Sequence, residues 1–163
     1  MVIAPILSVL AACGSGELAP PPLRLRATIA FPPKDTIALA LSAEAHWCSD
    51  ARSLLVASLS PEGSGAMIRV RYRDRLTSAA FPIVLPTDTG AVPAAVVGLR
   101  FFVGDTPHGY ALDSGRVQVR RGADTIWLSG TGVGVENAIR IRASLESQAV
   151  VIGADSVACN YSP

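Results

Sequence analysis

Residues 68 to 73 alternate strictly, with Ile68, Val70 and Tyr72 against Arg69, Arg71 and Arg73. A period of two sends successive side chains to opposite faces of a strand, so this stretch predicts a strand with one buried and one wet face. Val117 and Val119 repeat the pattern against Arg116, Gln118 and Arg120, and Ile139, Ile141, Ala143 and Leu145 repeat it against Arg140, Arg142 and Ser144. Ile37, Leu39 and Leu41 alternate with smaller residues, whereas residues 54–59 and 94–103 are more continuously apolar and predict strands covered on both faces. No segment carries the apolar stripe of a helix. Short strands punctuated by Gly and Pro predict an all-β fold, an antiparallel sandwich or partly closed barrel of about seven to nine short strands.

The connections follow from the turn residues. Arg121-Gly122-Ala123-Asp124 predicts a hairpin with Gly122 at the first central position of a type II′ turn. That register pairs Val119 with Ile126 and Val117 with Leu128 on the core face, and sets Gln118 opposite Trp127 and Arg120 opposite Thr125 on the other. Trp127 is thereby expected over the polar face, under an arginine stem. Residues 60–65 predict a second hairpin, joining the strand at Leu55 to the one at Ile68. Residues 74–93 and 104–114 are expected to be long irregular connections.

Ahead of these strands, residues 1–12 are uncharged, and their apolar run is about half the ~20 residues that span a bilayer. A short apolar stretch ending in small residues has the form of a secretory signal. Here it runs into Leu10-Ala11-Ala12-Cys13, which resembles the lipobox of bacterial lipoproteins. The resemblance implies diacylglycerol on the Cys13 thiol, cleavage before Cys13 and a membrane partner reached through that lipid. Several acyl chains at ~0.8 kcal/mol per buried methylene hold a domain on a membrane where one chain is marginal. Signals of this kind carry Lys or Arg ahead of the apolar stretch; residues 1–12 have neither, which a start codon upstream of Met1 would account for. Gly14 is not the Asp linked to inner-membrane retention, so the expected address is the cell envelope, on the outer membrane or the periplasmic face where two membranes exist. Residues 13–23, with Gly-Ser-Gly and then Pro20-Pro21-Pro22, are expected to form a lipidated cysteine and tether, leaving residues 24–163 as one domain.

With Cys13 assigned to lipid, Cys48 and Cys159 remain, and in an oxidising compartment an even pair is expected to form one disulfide. Two buried free thiols are the alternative; zinc would need four ligands, with only His46 and His108 to add. Cys48 on a strand, Leu128-Ser129-Gly130-Thr131-Gly132-Val133-Gly134 after a glycine-turn hairpin, and Cys159 near the end together resemble the lipoprotein antigen domain of actinobacteria. That resemblance implies a small lipid-anchored β domain bridged from Cys48 to Cys159 and brings no catalytic residue with it. Trp127 and the arginine-rich strands depart from the family's Thr- and Gly-rich ones.

Composition narrows the partners. Half of the residues are hydrophobic and 17% are charged, which excludes a disordered chain, and the net charge of +1 removes the bulk field that nucleic-acid binding relies on. Thirteen of the fourteen basic residues are arginine. On the period-two reading Arg69, Arg71, Arg73, Arg116, Arg120, Arg140 and Arg142 all face outward. If their strands are neighbours, they form a candidate face for an anionic envelope polymer or lipid headgroup. Trp127 is a candidate contact for a protein partner.

Enzymatic signals are weak. The run 130–134 lacks the Lys-Ser/Thr pair of a phosphate loop, and alternating strand glycines suit a bulge or a close backbone approach. No Gly-x-Ser-x-Gly elbow is present, and neighbouring residues in His46-Trp47-Cys48-Ser49-Asp50 point to opposite faces. Asp105, His108, Tyr110 and Asp113 share one expected connection, where the two carboxylates could serve a weak cation or small polar ligand. The expectation is a non-enzymatic binding or structural role without metal or cofactor, the alternatives being an envelope-associated hydrolase or a subunit of a larger envelope complex.

Overall fold

The computed structural model describes residues 25–49 and 51–159. The expected signal segment, Cys13 and the tether lie outside the described residues. Among these, eleven strands and no helix form: β1 (Leu25–Phe31), β2 (Asp35–Leu41), β3 (Glu44–Cys48), β4 (Ser53–Leu59), β5 (Gly65–Arg71), β6 (Ala79–Pro82), β7 (Ala94–Val103), β8 (Thr106–Arg121), β9 (Thr125–Glu136), β10 (Ile139–Ser147) and β11 (Val150–Val157). The fold is all-β. Strands exceed the expected seven to nine because β1, β6 and β11 form where no strand was expected, and the connection expected at 104–114 is largely the first half of β8. One pairing, β11 with β3, is parallel.

Two sheets share strands. The first runs β2-β1-β10-β9-β8-β6, and the second runs β11-β3-β4-β5-β7 and ends on the first half of β8. Residues 106–111 of β8 pair with β7, whereas residues 112–121 pair with β9. The change of partner occurs at a bulge between Leu112 and Ser114 and at Gly115, whose φ of +124° an L side chain rarely adopts. On the other side the chain leaves β10, and β11 takes over the edge of β9 at Val150↔Ile126 before departing to β3. Buried Ser147 covers that changeover, its hydroxyl accepting the Leu128 N–H at 2.7 Å. The circuit β8-β9-β11-β3-β4-β5-β7 therefore closes, giving a sandwich that is also a partly closed barrel.

Alternation builds the core. Leu25, Ala27 and Ile29 of β1, Ile141, Ala143 and Leu145 of β10, and Val117 and Val119 of β8 meet Leu54, Val56, Ile68, Val70 and Val97 of the second sheet. Phe31, Phe101, His108 and Tyr110 fill one end as a ring cluster, with Phe101 and Tyr110 stacked at 5.7 Å. Trp47, Tyr72 and Arg121 close the other, the guanidinium 5.1 Å above the indole.

The hairpins are where expected, with one correction. Leu59 pairs with Gly65 across the 60–64 turn, in which Gly63 has φ +88°. In the β8–β9 hairpin Gly122 donates its N–H to the Thr125 carbonyl, so the central pair is Ala123-Asp124 and not Gly122-Ala123. Val119 consequently faces Leu128, Gln118 faces Ser129, and Arg120 faces Trp127. Gly122 is not among the glycines with positive φ, so the type II′ geometry that motivated the earlier register does not form. The β9–β10 turn does use left-handed backbone, at Asn137 (φ 48°) and Ala138 (φ 64°).

Candidate functional site

The outward face of the first sheet gathers four of the expected arginines, Arg116 and Arg120 on β8 and Arg140 and Arg142 on β10, all exposed. To these the structure adds Arg26 on β1. It occupies the polar position of Leu25-Arg26-Ala27-Thr28-Ile29, the same period-two signal that marked the other strands, and it could have been found by that rule.

Register orders this face into rows. Across β1, β10, β9 and β8 the opposed residues are Arg26, Glu146, Ser129 and Gln118 and, two positions along, Thr28, Ser144, Thr131 and Arg116. These eight, with Gly130 and Leu145 between the rows, line an open cleft of about 620 Å³. Arg26 and Arg116 stand at diagonally opposite ends of the rows, and three of the four middle positions are serine or threonine, the fourth being Glu146, so the cleft is a trough with a largely hydroxyl floor and a guanidinium at two diagonal corners. Glu146 is the one carboxylate within the rows; Asp113 sits in the β8 bulge at the margin. The Arg52–Asp74 ion pair and the contact of His46 Nε2 with the Glu44 carboxylate lie elsewhere.

Trp127 is half-buried one step along β9 from Ser129, and the Arg120 guanidinium lies 4.1 Å from its ring centroid. The arginine over the indole matches the expectation, although its cross-strand partner is Arg120 itself.

Arg69, Arg71 and Arg73 are not part of this face. They belong to β5 and the residue run after it in the second sheet, and two of them are half-buried. The Arg69 Nε–H donates to the Ser53 hydroxyl at 2.9 Å and its Nη1 to the Cys159 carbonyl at 2.8 Å. The Arg73 Nε–H donates to the Val92 carbonyl at 3.2 Å. Burial draws the Arg71 guanidinium below its ordinary value, opposed by Asp88 and assisted by Arg69. Period two gave their direction correctly, but it does not report which sheet a strand joins or what chain crosses over it. These side chains hold the C-terminal segment and the β6–β7 connection against the sheet.

Cys48 and Cys159 form a disulfide with Cα atoms 5.3 Å apart, across 111 positions of sequence. Neither free thiols nor a zinc site therefore describes this pair.

The remaining candidates are dispersed. His46 lies over Gly153, where an added Cβ would come within 2.8 Å of Nδ1, and its Nε2 is 3.6 Å from Glu44. His108 packs between Phe31 and Phe101, with centroids at 4.9 and 5.7 Å. Asp105 lies in the β7–β8 turn and Asp113 at the mid-strand bulge, so the expected loop is a strand and does not bring the two carboxylates together. The Gly130-Thr131-Gly132-Val133-Gly134 run is strand β9, its glycines turned to the inner side where Leu112, Ile83 and the β8 backbone approach.

No family model, curated protein or solved structure matches this chain. The trough offers donors at both ends, hydroxyls that give or accept between them, and one anionic acceptor.

A second open cleft, of about 580 Å³, separates the half-buried inner side of β2 at Leu39 and Leu41 from the turns at Glu62 and Asp105. His46 and His108 line neither cleft.

Proposed function

We propose that the chain is an exported bacterial lipoprotein, held at the cell envelope through lipid on Cys13, whose all-β domain serves in binding or structure and not in catalysis. The observation that carries this reading is the use of the cysteines. The chain has three; Cys48 and Cys159 form the disulfide, a bond that persists in oxidising compartments. The third is the one that ends the lipobox-like Leu10-Ala11-Ala12-Cys13. The Gly-Ser and polyproline composition of residues 14–23 supports a spacer between that anchor and β1.

Intact mass of protein purified from membranes of a bacterial host, wild type beside Cys13→Ala, tests the proposal. The expected mass corresponds to cleavage before Cys13 plus acyl chains and is lost in the variant. An uncleaved, unacylated wild-type product would remove the lipoprotein reading.

A further inference from the structure

We infer that the trough on the outward face of the first sheet binds a linear polysaccharide carrying spaced acidic groups. This deepens the binding role proposed above, resting on it for where the ligand is met and not for how it is recognised.

The charge of the face comes first. Arg26, Arg116, Arg120, Arg140 and Arg142 occupy its outward positions, against Glu146 within the rows and Asp113 at the margin, although the whole chain has a net charge of only +1. This face is thus net positive, five arginines against two carboxylates, while the rest of the chain is net negative, and a guanidinium fork suits carboxylate and phosphate oxygens alike.

Shape selects among anions. The recessed floor is built from short side chains, Ser129, Thr131 and Ser144 among them, in a cleft about 620 Å³ in volume. Its length across four strands is on the order of 14 Å, three strand spacings. A planar bilayer would meet the raised arginines and leave that floor uncovered, whereas a chain about one sugar wide can enter it.

The floor chemistry then separates acidic glycans from bare polyanions. Serine and threonine hydroxyls both donate and accept, as sugar hydroxyls do. Glu146, opposite Arg26, accepts only and would repel a chain charged at every unit. A polymer with acidic groups at intervals can place one at Arg116, another at Arg26, and hydroxyls against Glu146, Gln118 and the floor between them. The acidic group can be carboxylate or phosphodiester, since the guanidinium donates to the oxygens of both.

The test uses full-length protein in detergent micelles, which reads binding whether or not Cys13 carries lipid. Immobilised hyaluronan and dextran phosphate are compared with neutral dextran, polyphosphate and immobilised glycerophosphoglycerol, the phosphatidylglycerol headgroup without its acyl chains. At least one acidic polysaccharide should be retained in preference to all three comparators. Its affinity should fall about tenfold or more in the Arg26→Gln/Arg116→Gln double variant, as expected when charge-assisted hydrogen bonds are removed. Arg100→Gln, an exposed arginine on the second sheet, should bind as wild type does. Thermal midpoints of all variants establish that they fold. Retention of none of the acidic polysaccharides, equal retention of dextran, polyphosphate or the headgroup, or an equal loss in Arg100→Gln would each overturn the inference. An unlipidated protein that still binds would instead leave it standing and remove the anchor.

Discussion

Tyr110 shows how one buried group sets a dependence on pH. Its side chain is 3% exposed, its ring stacks on Phe101, and its hydroxyl is buried without a hydrogen-bond partner. Burial first, and the charge of Glu136 second, push the phenol above its ordinary value of 10.0. The unfolded chain releases this proton near pH 10, while the folded chain retains it to higher pH. Above about pH 10 the native state therefore binds more protons, and stability falls as pH rises through the raised value. Tyr110→Phe keeps the ring and removes both the orphan hydroxyl and the titration. Urea midpoints near pH 8 and near pH 11 should show the variant equal to wild type or up to about 1 kcal/mol more stable at the lower pH, with a smaller alkaline loss. A loss of stability at neutral pH would mean that the hydroxyl has a partner in solution.

The β8–β9 pair ties single side chains to the path of a strand. Gly132 faces inward where β8 changes sheets, and a Cβ there would meet Leu112 Cδ1 at 2.7 Å, Ile83 Cδ1 at 2.9 Å and the Ser114 carbonyl oxygen at 2.9 Å. The two methyls can give way, but the carbonyl belongs to the bulge that makes the crossing. Gly132→Ala should cost about 1–3 kcal/mol through this overpacking. Gly109→Ala, on β8 itself but with nothing within 4 Å, should be neutral or stabilise by up to about 1 kcal/mol. Equal effects in chemical denaturation would refute the claim that β9 is glycine-rich to let β8 cross. This corner also explains what could be read from the chain. Alternation placed Arg116, Arg120, Arg140 and Arg142 on the outward side, and the hairpin register erred by two residues without moving any of them, since a shift of two preserves the face. The first half of β8 was misread because Gly104, Pro107, Gly109 and Asp113 have the composition of a connection, while its strand form is imposed by β7 beside it. The site was half legible for a related reason: direction is local, but whether β5 lies beside β8 or across the core from it depends on pairings between residues far apart in sequence.

Those distant pairings meet at the disulfide. Among the described residues β11 is the only strand that joins β9 to β3, and its parallel ladder with β3 is interrupted between Ile152 and Ser156. The bond from Cys48 to Cys159 closes at the end of that ladder, and Arg69 holds the Cys159 carbonyl and the Ser53 hydroxyl of β4 beside it. The interrupted β11–β3 join is thus covalently clamped, whereas the two-residue pairing of β11 with β9 at Val150 and Val151 is not. With 111 positions between the cysteines, restriction of the unfolded chain contributes on the order of 4–5 kcal/mol as an upper figure, a large share of the 5–15 kcal/mol typical of a domain. Cys48→Ala/Cys159→Ala should therefore lower the guanidinium midpoint markedly, and reductant should lower the wild-type midpoint to nearly the same value while leaving the variant unchanged. Both sheets should unfold together in the oxidised protein, because β8 and β9 belong to the closed circuit and transmit the loss of β11 to the core. Hydrogen exchange separates this from a local effect: in the variant, protection should fall first in β11 and β3 and only later in β1 and β10. Uniform protection and an unchanged midpoint would show that the core closes the circuit without the bond. The predicted dependence instead couples folding to an oxidising compartment, and in a reducing one the same chain would keep its strands but hold the β11–β3 join only by its interrupted ladder.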